Sequence, residues 1–277
     1  MKTPDPHAAA EGDLRSPASA LPASALPSPA PAPSTWALFL DLDGTLLDLA
    51  PTPEAARPVA GLVQTLAALE RMTDGALALV TGRAVGFVDQ LFPGRQFTVA
   101  GLHGATLRPS PLLRAALPDG ADTAEDDPAL DAARDRVRHQ AQSLPGVLFE
   151  DKGRAFALHY RQAPDCRDAV AALMQAAAQA VGAGYLLRPG KCVLELCPAG
   201  QDKGSAVGNL MRFQPFQGRY PVAAGDDLTD EAMFRAVNAM GGHSVRVVPP
   251  QALAQSAALT AMDTPAAFRR WLKGLTR

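Results

Sequence analysis

Cysteine, aromatic residues, excess charge and long apolar runs are all scarce in this chain, and each scarcity closes a class of function. The three cysteines, Cys166, Cys192 and Cys197, are an odd set with no CxxC pair, so neither a disulfide framework nor a cysteine zinc site is expected. Free thiols suit a reducing compartment, and the expected location is cytoplasmic. A net charge of −2 without a basic run argues against nucleic acid and membrane surfaces as partners. No apolar stretch is long enough to span a bilayer. With aromatics at 5 %, ring stacking is not the main device for holding a ligand. The expected partner is a small molecule, bound by a monomer.

Alanine and proline, by contrast, dominate residues 1–34, whose centre reads SPASALPASALPSPAPAPS. Recurrent proline interrupts the apolar segment that a secretory signal needs. The composition buries too little apolar surface to offset ordering entropy, so a disordered or polyproline-like leader is expected. Folded structure should begin near Thr35 or Trp36.

Beyond Trp36, WALFLDL, ALALVTG and FTVAGLHG read as strands, alternating with PVAGLVQTLAALERM and RAVGFVDQLF as helices. The pattern returns late in the chain with the helices KGSAVGNLMRF, TDEAMFRAVNAM and PAAFRRWLKGL and the strands YPVAAG and HSVRVV, with Thr229 as a candidate N-cap. Such alternation predicts an α/β fold: a Rossmann-like, doubly wound parallel sheet covered on both faces. Between the halves the order changes to helix, hairpin, helix, hairpin. This is an α+β cap domain inserted at about 107–197, which divides the core into 35–106 and 198–277. Hinges are expected at the two crossings, near Arg108 and Pro198.

Four polar clusters fall at strand ends or helix starts, where open parallel sheets bind ligands. They are DLDGTL from Asp41, Thr81-Gly82-Arg83, DKG from Asp202, and GDDLTDE from Gly225. Two acids ending a buried strand are costly to keep ionised without a counterion. Asp41, Asp43 and Asp226 can supply hard oxygen ligands to Mg²⁺. Asp41, first on the strand, can attack phosphorus as a nucleophile, and Asp43 can protonate the leaving alcohol and then activate water. Gly44 permits close backbone approach and Thr45 can steady the loop. Thr81 can donate to a phosphate oxygen, and Lys203 adds positive charge where the phosphoryl group gathers negative charge.

Together these clusters resemble the haloacid dehalogenase-like phosphatases. VTGR, AGLHGA, FEDKGRAFALHYRQAP, GKCVLELCPAGQDKG and GDDLTDE are similar to the trehalose-phosphate phosphatase group within them, in its bacterial form. The resemblance runs from about Leu38 to Trp271. It implies a capped core, Mg²⁺ dependence and release of phosphate from trehalose 6-phosphate, as the last step of trehalose biosynthesis. By motif position it makes Asp41 nucleophile, Asp43 acid/base, Thr81 and Lys203 phosphate ligands and Asp226 a metal ligand, with Asp227 and Asp230 as supporting acids. Glu150 and Lys152 become sugar-ligand candidates through the EDKG string. Thr106 stands where the group often carries an acid, and no role is assigned to it.

Period-two alternation describes the cap independently. Phe156, Leu158 and Tyr160 share one strand face, leaving Ala157, His159 and Arg161 on the other. Leu194 and Leu196 share a face opposite Lys191, Val193 and Glu195. Small residues flanking His159, Arg161, Lys191 and Glu195 leave room for a polyhydroxylated ligand, although a solvated sheet face would read the same. His103 either meets ligand or satisfies backbone groups, and Arg83 either orients a carboxylate or contacts ligand. A related phosphatase or mutase for sucrose or mannose phosphates, and a non-catalytic sugar-phosphate sensor, remain the competing readings.

Overall fold

Five consecutive buried residues, Trp36–Leu40, form the central strand β1. Alternation sends Trp36, Leu38 and Leu40 into one apolar cluster and Ala37 and Phe39 into another, as a strand covered on both faces requires. The computed structural model describes residues 32–50, 52, 55–118, 127–190, 192–248 and 256–276. Most of the leader, the acidic stretch 119–126 and Lys191 lie outside the described residues.

On one side β1 pairs in parallel with β2 (Leu77–Val80), which pairs with β3 (Thr98–Gly101). On the other it pairs with β9 (Tyr220–Gly225), followed by β10 (His243–Val247) and β11 (Thr260–Met262). Helices α1 (Leu62–Met72), α2 (Val85–Leu91) and α8 (Pro265–Leu275) supply Leu66, Val88 and Phe268 to one face. Helices α3 (Pro111–Ala116), α6 (Lys203–Leu210) and α7 (Glu231–Ala239) supply Leu113, Val207 and Phe234 to the other. The doubly wound α/β core is therefore as the alternation predicts.

The seventh strand, β4 (Thr106–Arg108), pairs antiparallel with β3, and Leu113 is fully buried in the core. A cap beginning at 107 would cut this strand. The chain packs on the core as far as Leu117, and the first helix of the insert starts at Pro128. Arg108, expected at a hinge, sits in the edge strand and is ion-paired to Asp89 at 2.5 Å.

The insert comprises α4 (Pro128–Ala141), β5 (Leu148–Asp151), β6 (Phe156–His159), α5 (Arg167–Val181), β7 (Tyr185–Gly190) and β8 (Val193–Pro198). Its antiparallel sheet has the order β5-β6-β8-β7. Phe156, Leu158 and Leu196 face Val137, Val170 and Met174 of the helices. Across the other face, register aligns Glu150, Ala157, Glu195 and Arg188 in one row. A small apolar contact of Leu102 with Ala155 and Cys197 joins this unit to the core. The chain returns through 199–202, where the Ala199 amide donates to the Gly184 carbonyl at 2.8 Å.

Candidate active site

Asp41 leaves β1 with its amide still donating to Ala224 of β9 at 2.9 Å, which fixes its carboxyl at the carboxyl end of the central strands. It is 4 % exposed. Lys203 opens α6 behind the N-cap Asp202, whose carboxylate and Ser205 form a capping box. Its buried Nζ lies 2.5 Å from Asp41 Oδ1 and 2.6 Å from Asp230 Oδ1. The second oxygen of Asp230 accepts the amides of Asp226 and Asp227 at 2.9 and 3.0 Å. Asp226 presses its carboxylate over Gly44, where a Cβ would lie 2.1 Å from Oδ2. With φ at +75° as well, that position admits only glycine.

One oxygen from each of Asp41, Asp226 and Asp230 falls within a 4.8 Å span. Burial pushes Asp41 up to about 8, with Asp230 and Asp226 adding to the rise against Lys203. Burial also pushes Asp226 up to about 7, reinforced by Asp230 and Asp227. Burial works to discharge Lys203, yet Asp41 and Asp230 outweigh it and hold the ammonium well above its ordinary range. Three carboxylates around one ammonium leave an excess of negative charge, which a hard divalent cation would complement. Both oxygens of Asp230 already have donors, so Asp41 and Asp226 are the better ligands.

Asp43 does not join that cluster. The Arg83 guanidinium takes both its oxygens, Nε to Oδ2 and Nη2 to Oδ1, each at 2.8 Å. The chain turns immediately after Asp41, so Asp43, which the sequence offers as a third metal carboxylate, stands apart from the group that Asp41, Asp226 and Asp230 form. Arg83 is thus paired to a carboxylate while lining the cleft, and its guanidinium stacks 4.4 Å from the Phe87 ring centre. Thr81 is buried and its hydroxyl accepts the Arg83 amide at 3.1 Å. Thr45 is fully buried within the first loop, and Asp227 caps the turn before α7. Thr229 does not cap α7; Asp230 precedes its first residue.

His103 sits in left-handed backbone, φ 57°, against Gly82, where a Cβ would come within 2.7 Å of the ring. Burial, then the charges of Lys203, Arg188 and Lys152, push its pKa down to about 3, so the ring stays neutral.

From the cap, Glu150, Lys152 and His159 enter the same cleft of about 300 Å³ as Asp41, Thr81 and Lys203. His159 Nε2 lies 2.8 Å from Glu150, and the Lys152 ammonium lies 3.2 Å from Glu195 and 3.8 Å from Glu150. Burial works upward on Glu150, but the His159 hydrogen bond and Lys152 outweigh it and lower its pKa. Arg161 does not join them: β6 ends at His159, and Arg161 lies exposed in the following turn. Two residues that sequence reasoning passed over stand beside these groups. Leu49 lines the cleft mouth at 74 % exposure, and Arg188 completes the row of Glu150 and Glu195. The alternation used for Glu195 extends across the hairpin and could have found Arg188. A larger depression of about 980 Å³ near Glu70, Phe92 and Arg95 holds none of these groups, so size does not mark the site.

Buried acids around a lysine, at the carboxyl ends of a doubly wound sheet and beneath a second, antiparallel sheet, agree with the class that the family comparison gives: a hydrolase of phosphoric monoesters. More narrowly, the chain belongs to the trehalose-phosphatase family, whose model matches residues 39–262. It is 46 % identical over 220 residues to a probable trehalose-phosphate phosphatase of Sinorhizobium fredii, covering 78 % of each chain. It is 41 % identical over 217 residues to the trehalose-6-phosphate phosphatase of Escherichia coli, covering 76 % of this chain and 77 % of that one. In fold it is similar to the C-terminal domain of the C. albicans trehalose-6-phosphate phosphatase, with TM-score 0.66 and 22 % identity over 88 % of this chain and 92 % of the other.

Proposed function

We propose that this protein hydrolyses trehalose 6-phosphate to trehalose and phosphate through an aspartyl phosphate on Asp41, completing trehalose synthesis. The observation that carries the reading is one cleft holding Asp41 and Lys203 on its floor and Glu150, Lys152 and His159 on its cap wall. A carboxylate nucleophile, a neutralising ammonium and a polyhydroxyl-binding wall are the parts this reaction needs.

In the first step Asp41 Oδ attacks phosphorus, the bond from phosphorus to the sugar oxygen breaks, and Asp43 delivers its proton to the departing alcohol. In the second, Asp43 takes a proton from water, whose oxygen attacks the aspartyl phosphate and frees inorganic phosphate and the Asp41 carboxylate. Lys203 and Thr81 hold the phosphoryl oxygens throughout. Asp41 and Asp226, with Asp230 beside them, would hold Mg²⁺, which supplies charge neutralisation to the phosphoryl group when bound. For Asp43 to move protons its Arg83 pair must open, and Glu150 across the cleft lies within electrostatic reach of that guanidinium. Glu150, Lys152, His159 and Glu195 take the sugar hydroxyls. Cytoplasmic placement belongs to the same proposal, supported by three free cysteines. No described helix is long and apolar enough to cross a membrane.

The test is phosphate release from trehalose 6-phosphate beside sucrose, mannose and glucose phosphates, with Mg²⁺ or EDTA, and with Asp41→Asn. Preference for the trehalose ester, lost with EDTA and in the variant, is expected. Equal rates across the panel would overturn the substrate, and full activity of Asp41→Asn would overturn the mechanism.

A further inference from the structure

The backbone around Asp226 is held on every side. Its own amide and the next one donate to Asp230 Oδ2 at 2.9 and 3.0 Å. Its carbonyl accepts Nε of Arg246 at 3.3 Å, reaching across from β10, where Arg246 is the register partner of Gly225. The same guanidinium turns Nη1 toward Glu231 Oε1 at 3.5 Å. Glu231 is buried at the first position of α7 and is itself anchored from a distant segment. Ser256 Oγ donates to its Oε1 at 2.6 Å and the Ala257 amide to its Oε2 at 2.7 Å. Asn238 of α7 donates in turn to the Ala257 carbonyl at 2.7 Å. Arg246, Glu231, Asn238, Ser256 and Ala257 are not among the residues lining the substrate cleft, and the hydrolysis as described makes no use of them.

We propose that Arg246, anchored by Glu231, is a positioning residue for the cation site, fixing the Asp226 carbonyl and through it the direction in which the Asp226 carboxylate points over Gly44. The inference depends on the reading of Asp41 and Asp226 as Mg²⁺ ligands. The planar guanidinium suits the task because it bonds in two fixed directions at once, whereas an ammonium on a flexible stem does not hold that angle. Groups that orient metal ligands from behind are commonly as consequential for affinity as the ligands' own surroundings. The network ties Asp226 to 256–257 beyond β10, so the cation site is braced by chain that lies far from it in sequence.

Mg²⁺ alone, titrated by calorimetry and by its effect on melting temperature, tests this. Arg246→Met is expected to weaken Mg²⁺ binding about tenfold, the low end for residues that orient ligands. At saturating Mg²⁺ its kcat and its KM for trehalose 6-phosphate should return to near wild type. Arg246→Lys should fall between the two. Should Arg246→Met fail to fold, Ser256→Ala removes one anchor from Glu231 and is expected to weaken Mg²⁺ binding in the same direction by less. Lowered melting temperature in EDTA with unchanged Mg²⁺ affinity, in either variant, would overturn the proposal and leave a purely structural network. Wild-type protein that does not bind Mg²⁺ at all would instead overturn the cation reading beneath it.

Discussion

The floor and the roof of the cleft are built on opposite principles. On the floor Lys203 is 2 % exposed and saturated by two carboxylates, and each oxygen of Asp230 has a donor. On the roof Glu150 and His159 are a solvent-accessible pair, and Lys152 divides itself between two glutamates at longer range. A buried network loses much when one member is removed, because the remainder is stranded in low dielectric. An accessible pair loses little, because water takes the vacated place. The difference teaches that the floor is fixed by its own bonds, while the roof keeps groups whose partners can be exchanged, as the proposed sugar ligation requires.

Removing the floor's cation should break the comparison most severely. Lys203→Met strands Asp41 and Asp230, with an expected destabilisation of about 3–5 kcal/mol at pH 8 by urea unfolding. The loss should shrink at pH 5.5, where Asp41 can take a proton. In whatever protein folds, kcat should fall about 10²–10³-fold, the size of losing one preorganised stabilising group. On the roof, Lys152→Met should raise KM for trehalose 6-phosphate about tenfold while a small aryl phosphate is turned over as before. Because Glu195 is about 10 % exposed and loses its ammonium partner, melting temperature should also fall, though by less than in Lys203→Met. Arg161→Ala, from the turn that the sequence pattern had placed on the strand, should leave both KM values unchanged. A matching KM rise there would bring Arg161 into the cleft.

The smallest effect concerns pH. Asp41 and Asp226 sit at about 8 and about 7 in the fold, above their ordinary value of 3.8. Between those limits the folded protein binds more protons than the unfolded chain, so metal-free stability falls as pH rises through the window. A cation that keeps the carboxylates ionised removes this cost. The Mg²⁺-induced rise in melting temperature should therefore be larger at pH 8 than at pH 5.5, by about 2–4 °C for each kcal/mol relieved. Equal rises at both pH values would mean that these acids are already ionised without metal.

The same contrast governs what the sequence made legible. Apolar runs ending in acids located the floor, because a strand buried on both faces leaves an unbroken hydrophobic signature as far as Leu40. The alternation in the insert placed Phe156, Leu158 and Leu196 against the cap helices and Glu195 on the opposite sheet face, as found. Which acids converge was not legible. Asp230 gathers beside Asp41 while Asp43 turns to Arg83, because the turn after Asp41 and a lysine 162 positions away decide it, and neither leaves a local pattern. Strands β4 and β11 span three residues each, too few to show a period, so neither was read from the sequence and the insert was expected to begin at 107, inside β4.

The return crossing at 199–202 has a mechanical consequence. Ala199 is bonded to Gly184 of the cap, and the Gln201 carbonyl accepts Arg188 at 3.3 Å, so the chain travels with the cap that far. One residue later the Asp202 carboxylate and Ser205 lock the start of α6 to itself. Were the roof to rotate, the link between Gln201 and Asp202 would take up the turn, and the lysine one step beyond would stay still, a bearing rather than a lever.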